Sequence, residues 1–417
     1  MKFALGNRTI EISLGSETML TLLLCTAWAS MMLIYSQGFI KRMPLIGEFP
    51  EQTVIVSVSI LALLALPAIV KRLCLADYLF YLANALYYVG SYALYPENEP
   101  YLTEFAFSSL ACVYTFYFIG RLTDIDRMFT ILTLTSTLFI LANLFYYLVY
   151  LPGHTNMAAD VNEDNMFAAY QSLPHVVLML WATLSRFRIW KAVIFFLGIM
   201  FLLSCGTRGP FVCLGCFGII YFFFYMNFKG AIYVKTGIIL SALLLLLNLR
   251  DIIFHLAKTL TGLNLSTRIL EKIVTGELSN DSYRSVLREQ IYRVLDSDGH
   301  FFGLGPFGCK NYGVIYPHFL PLDFFSTYGY LIGSFLLVAL FVLIAWAFYV
   351  ARSKNIRLFI LLLFCCSILK LLLSNTFLQE PYFYMLIGCC AGEVIHWYAK
   401  YANDSSRTGA NLPATEE

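Results

Sequence analysis

Residues 322–350 read LDFFSTYGYLIGSFLLVALFVLIAWAFYV, and Asp323 carries the only formal charge in the run. A helix rises about 1.5 Å per residue, so this stretch can cross a hydrocarbon core about 30 Å thick. Working outward, apolar runs of similar kind fall at about 17–36, 52–70, 73–94, 101–120, 128–151, 166–184, 189–205, 209–227 and 231–249, and then at 356–376 and 381–399. Together they predict an all-α, polytopic integral membrane protein with about twelve transmembrane helices of roughly 20 residues each. Only Lys71 and Arg72 separate the second run from the third, and little more than Thr207 and Arg208 separates the seventh from the eighth. An eleven-span or re-entrant arrangement therefore stays open.

Composition agrees. Of 417 residues, 59% are hydrophobic, 17% aromatic and 13% charged, where a soluble domain carries about 25% charged residues. An ordinary soluble enzyme is excluded. A net charge of +2 supplies no basic field for nucleic acid. Ten of the eleven cysteines lie in or beside apolar runs and Cys309 alone lies in a polar loop, so no disulfide framework follows. Cys213 and Cys216 have metal-like spacing but no second pair or nearby histidine, and read as packing residues. The first apolar run, Met19 to Tyr35, lacks a small-residue cleavage pattern and reads as a retained span.

Lysine and arginine alternate between rich and poor connections. Lys2 and Arg8, Lys71 and Arg72, Arg121 and Arg127, Arg186, Arg188 and Lys191, Lys229, Arg352, Lys354 and Arg357, and Lys400 and Arg407 mark one side, expected to be the cytoplasm. Both termini are expected there. Lys41, Arg42 and Arg208 break the pattern, and so does the one long connection, 251–321, which this orientation places outside although it is basic. Within that loop, Asp281 or Ser282 caps an expected helix whose apolar face carries Tyr283, Leu287, Ile291 and Leu295, with Arg284 and Arg288 on another face. The remainder, GHFFGLGPFGCKNYGVIYPHF, suits an ordered functional loop. The whole chain, 1–417, is read as one transmembrane domain including this loop.

Three outer features carry the candidate chemistry. In SCGTRGP at 204–210, Arg208 sits between glycines, either as an anion-binding guanidinium or as an interfacial arginine reaching for headgroups. In SNDSYRSVLREQIYR at 279–293, Arg284 and Arg288 lie one turn apart and suit a diphosphate, although Glu289 and Arg293 are also spaced for a solvated pair. In GLGPFGCKNYGVIYPHFLPLDFFSTYGYLIG at 303–333, His318 stands between Pro317 and Pro321, where a neutral imidazole can take a proton from a hydroxyl. Asp323 is its candidate orienting group, and Tyr312, Tyr316 and Tyr328 are candidates for stacking on sugar faces. Lys370 has two readings: a cation in the same cavity, or the partner of an acid such as Glu380. Asp77 and Glu393 read as helix-end or inter-helix hydrogen-bonding groups.

This order of features resembles the O-antigen polymerase and O-antigen ligase superfamily of bacterial inner-membrane glycosyltransferases. The signature covers roughly 205–210 and 280–333: Thr207-Arg208-Gly209 stands where the family has serine-arginine-glycine, Asp323 matches a common acid, and Phe319 follows His318 where the family usually has asparagine. The resemblance implies transfer of a growing glycan from undecaprenyl diphosphate to an undecaprenyl-diphosphate-linked repeat unit. His318, Arg208 and Arg284 would be catalytic, and Arg288, Asp323, Lys370 and Tyr316 would bind substrate. It implies no cofactor and no metal, with carrier-linked oligosaccharide repeats, the bilayer and a chain-length regulator protein as partners. The chemistry is coherent without the name, because fixed cations stabilise the charge that grows on a departing diphosphate.

Asp124 with Asp126, and Asp296 with Asp298, have the spacing of metal-binding carboxylates, but their contexts fit a short turn and a helix end. Two rivals remain. One is a ligase that transfers the glycan to lipid A core. The other is a lipid-linked oligosaccharide flippase or transporter, which would place its charges near mid-membrane in repeated halves.

Overall fold

The long apolar run at 320–350 is broken once, and the break shapes its surroundings. In the computed structural model, Gly329 has φ 79° and ψ 169° inside an otherwise helical stretch, a combination that is essentially restricted to glycine. A broken helix leaves carbonyls without partners, and in an apolar medium each must be satisfied by a neighbour. The Leu304 N–H donates to Ser326 O at 2.6 Å, and the Tyr87 hydroxyl donates to Thr327 O at 3.3 Å. The break thus docks the glycine-rich loop. Gly303, at φ 78°, is required there, since a Cβ would overlap Gly329 N and Ser326 O.

The structure describes residues 2–5, 8–11, 15–28, 50–145, 161–205, 207–226, 236, 284–297 and 302–409. Its elements are β1 (Lys2–Leu5), β2 (Arg8–Glu11), α1 (Ser16–Trp28), α2 (Pro50–Val70), α3 (Leu75–Leu94), α4 (Glu99–Leu122), α5 (Ile125–Phe145), α6 (Val161–Ser185), α7 (Ile189–Ser204), α8 (Gly209–Ile220), α9 (Arg284–Ser297), α10 (Leu320–Val350), α11 (Lys354–Leu373) and α12 (Pro381–Gly409). The described chain is helical apart from an antiparallel hairpin pairing Lys2 with Glu11 and Leu5 with Arg8, which the all-α expectation did not contain. Among the described residues four helices are long and apolar enough to cross a membrane: Pro96–Leu122, Ile125–Phe145, Leu320–Val350 and Lys354–Leu373. Apart from residue 236, the expected run at 231–249 lies outside the description, as do the loop segment 251–283 and the pair Lys41 and Arg42. None of the eleven cysteines forms a disulfide.

The chain falls into two compact units. The first comprises Met1–Leu79 and Arg127–Asn280. Its core is the buried face of α6, where His175 stacks on Phe139 with ring centroids 3.9 Å apart. The Trp28 indole donates to Ser136 Oγ at 2.9 Å, and Ser136 Oγ lies 3.0 Å from His175 Nδ1. Buried polar atoms are thereby paired with one another, as an apolar surround demands.

The second unit comprises Phe80–Asp126 and Asp281–Glu417. Helices α4 and α12 approach until Gly120 lies against the Met385 carbonyl and Gly388 against the Tyr117 carbonyl, positions where any Cβ would overlap backbone. Gly388 and Gly392 form the small-xxx-small spacing that lets apolar helices pack closely. Helix α11 starts at Ser353, whose hydroxyl accepts from Ile356 N at 3.1 Å, a side-chain cap on an otherwise orphan donor.

Candidate functional site

Helix α9 positions the arginines by burying its opposite face. Ile291 and Leu295 are fully buried with Leu304, Cys309, Val314 and Leu322, and Leu287 packs partly buried against them. The four-residue apolar spacing therefore fixes the helix rotation, as read from the sequence; Tyr283 lies outside the described residues. That rotation sends both Arg284 and Arg288 to main-chain carbonyls. Arg284 Nη1 donates to Leu373 O at 2.6 Å, and Arg288 Nη2 donates to His318 O at 3.0 Å. The Arg288 guanidinium also lies 5.2 Å from the centre of the Phe319 ring.

These partners orient the guanidiniums without neutralising them. Among the described residues no carboxylate forms an ion pair with Arg284 or Arg288, whereas Arg293 pairs with Glu289 at 2.5 Å on the exposed side of α9. The solvated-face reading thus holds for 289 and 293 and not for 284 and 288. Lys310 is accounted for differently, its ammonium lying 3.6 Å from the centre of the Phe105 ring. Arg288 Nε is buried with no hydrogen-bond partner among the described residues.

His318 occupies the left-handed region at φ 55°, an uncommon conformation for a residue with a side chain. Its carbonyl is held by Arg288 and its ring lies 4.2 Å from that of Tyr316. Nδ1 is buried and has no hydrogen-bond partner among the described residues. Burial, then the nearby charges of Arg284 and Arg288, push the imidazole down to about 4, so it is neutral at pH 7. A neutral ring with an unpartnered nitrogen, beside two cations that no described carboxylate pairs with, can accept a proton beside a bound anion.

Asp323 and Lys370 are engaged elsewhere in the same unit. Asp323 is buried, and its Oδ2 accepts from Phe377 N at 2.9 Å, with the Thr376 hydroxyl as a second donor. It anchors the 374–380 connection. Asp323, Tyr316, Pro317 and Thr376 line a cavity of about 20 Å³, room for a single water. Lys370 takes the second of its two readings, a buried ion pair with Glu380. Glu393 receives Arg352 at 2.8 Å, in keeping with an inter-helix role.

Arg208 belongs to the first unit, where it occupies the position before α8 without a capping hydrogen bond from its side chain. Gly209 follows because the Tyr170 ring leaves no room for a Cβ. The structure therefore gathers Arg284, Arg288, His318, Tyr316, Asp323 and Lys370 in one unit and Arg208 in the other. Of the paired aspartates, Asp126 accepts from Asn355 at 2.7 Å and Asp296 from Tyr330 at 2.9 Å.

Sequence reading passed over Asn98, although it organises the loop. Fully buried, it donates to Leu304 O at 2.7 Å and accepts from Asn311 at 2.6 Å. Its signal was an asparagine between Pro96 and Pro100 in a short connection, but its partners lie some 200 residues away and no local pattern names them. Comparison with known proteins gives no match: no family model fits the chain, no curated protein is similar to it, and no solved structure matches its fold.

Proposed function

We propose that the protein is a membrane-embedded polysaccharide polymerase that transfers a growing glycan from undecaprenyl diphosphate to a carrier-linked repeat unit. One observation carries the reading: two arginines that have no acidic partner among the described residues lie beside a neutral histidine whose buried Nδ1 has no hydrogen-bond partner among those residues. In the reaction, an acceptor hydroxyl attacks the anomeric carbon and the bond to the diphosphate oxygen breaks. Nδ1 of His318 takes the hydroxyl proton, while Arg284 and Arg288 stabilise the charge growing on the leaving diphosphate. Before substrate binds, those arginines weaken His318 as a base. A bound diphosphate offsets their charge and restores its basicity, coupling donor binding to activation of the acceptor.

Tyr316 joins this reading as a sugar platform, and Asp323 as the group that holds the 374–380 connection beside the site. The apolar runs support about twelve spans, and the lysine and arginine pattern supports cytoplasmic termini with the 251–321 loop on the opposite side; the resemblance implies the bacterial inner membrane and so a periplasmic loop. The test is extension of a defined carrier-linked repeat by purified protein, with chelator present. Longer products are expected, and His318→Ala should reduce them by roughly 100-fold or more. Activity that requires lipid A core would make it a ligase. Normal polymer synthesis by His318→Ala would remove the proposed base.

A further inference from the structure

At the C-terminal end of α11 a buried ion pair lies next to a site it does not enter. Lys370 and Glu380 are 4% and 0% exposed in their side chains, among the most demanding places for charge in an apolar protein. Glu380 Oε2 also accepts from Asn375 Nδ2 at 2.8 Å, and Asn375 is held in the left-handed region at φ 76°. On the other side of the same connection, Asp323 holds Phe377 N and Thr376 Oγ1 accepts from Leu378 N at 3.3 Å. Residues 374–380 are therefore held by two buried acids, Glu380 at Asn375 and Asp323 at Phe377. Immediately before them, Leu373 O receives Arg284.

We propose that Lys370 and Glu380 are positioning residues: their ion pair fixes the 374–380 connection, and through the Leu373 carbonyl that connection sets where the Arg284 guanidinium is held. A last-turn carbonyl has no partner within its helix, so its direction depends on how the chain leaves the helix. Here the departure is governed by the Ser374 N–H on Lys370 O at 2.8 Å, by Asn375 and by Glu380. Glu380 Oε1 is buried without a partner among the described residues, and a hydrophobic pair of similar volume would avoid that cost. The charge is explained by what it orients. The inference rests on the proposed function in so far as Arg284 is a diphosphate ligand.

The decisive variant is Lys370→Met with Glu380→Met in the full chain, reconstituted in lipid nanodiscs. Removing both charges leaves no unpaired ion behind, so folding is preserved where either single change would endanger it. Binding of undecaprenyl diphosphate should weaken about tenfold, and kcat for extension should fall by a similar factor while KM for the acceptor repeat stays unchanged. Added to Arg284→Ala, the double change should cause no further loss, and Lys370→Arg should recover most of the rate. Wild-type binding and turnover in the double variant, or a loss that multiplies with that of Arg284→Ala, overturns the proposal. If the unaltered protein neither extends repeats nor binds the carrier, the functional reading fails on its own. Hydrogen exchange then decides: amides at 374–380 and at 284–288 must speed up together in the double variant, and an unchanged 284–288 segment refutes the coupling.

Discussion

Arg288 donates to the main-chain carbonyl of His318 at 3.0 Å while its guanidinium lies over the next side chain, Phe319. One side chain thus holds the left-handed turn that presents the imidazole and adds positive charge beside it. Arg288→Lys keeps the charge but loses the planar fork. The hydrogen bond from a charged donor is worth about 1.5–3 kcal/mol. The lysine variant should therefore unfold at lower temperature and lose extension activity while still binding the carrier diphosphate. A thermal melt combined with a binding measurement checks this, and equal losses of binding and turnover would contradict it.

His318 gives the unit a pH signature with a definite sign. Its folded pKa is about 4, against about 6.5 in an unfolded chain. Between those values the unfolded chain binds a proton that the folded chain refuses, so stability falls as pH drops from about 6.5 to 4 and is level above that window. His318→Gln should remove this contribution, visible as a flatter dependence of the unfolding midpoint on pH. Inorganic diphosphate should raise the imidazole pKa in an NMR titration; no shift on adding it would argue against an anion site between the arginines.

Part of this site was legible in the sequence because its cause is local. Leu287, Ile291 and Leu295 recur with the helical period, so the face they bury and the direction of Arg284 and Arg288 follow from spacing alone. The ion pair of Lys370 followed from a nearby acid, yet spacing did not choose between it and an open cavity, because the choice depends on the turn at Asn375. The break at Gly329 was hidden, since Tyr-Gly-Tyr-Leu-Ile-Gly reads as an unbroken apolar run. The hairpin at 2–11 was missed because its two short strands carry little apolar periodicity beside the spans that follow.

Asp323 separates a charge role from a hydrogen-bonding role. Asp323→Asn keeps a carbonyl oxygen for Phe377 N and should leave the melting temperature nearly unchanged. Asp323→Leu strands that buried N–H, at a cost of about 1–3 kcal/mol, and should accelerate hydrogen exchange at 376–378. If the leucine variant proves as stable and as protected as the asparagine variant, Asp323 does not anchor the connection.

Contact between α4 and α12 depends on missing side chains. Gly388→Val would force a side chain into the Tyr117 carbonyl, and overpacking of this kind costs typically 1–3 kcal/mol or more where backbone must move. Gly90 in α3 is the control: a Cβ there meets nothing within 4 Å, so Gly90→Ala should be neutral or stabilising by about 0.5–1 kcal/mol. Yields of monodisperse protein after solubilisation should separate the two variants clearly. Equal yields would mean that close approach of α4 and α12 is not needed for folding.

Gly329 offers the sharpest test of how the fold reaches the site. Its φ of 79° with ψ of 169° is closed to alanine at a cost of about 1–3 kcal/mol, so Gly329→Ala should favour a continuous helix through 320–350. A continuous helix would reclaim the carbonyls of Ser326 and Thr327 for its own ladder, leaving Leu304 N and the Tyr87 hydroxyl without acceptors. The glycine-rich loop would then detach at Gly303 and Leu304. Cys309, buried in the folded loop, reports that event directly. Its thiol should become reactive toward a maleimide in Gly329→Ala while remaining protected in the unaltered protein. A thiol still protected in the variant would show that the loop is held by Asn98 and the apolar cluster alone, and that the helix break is not its anchor.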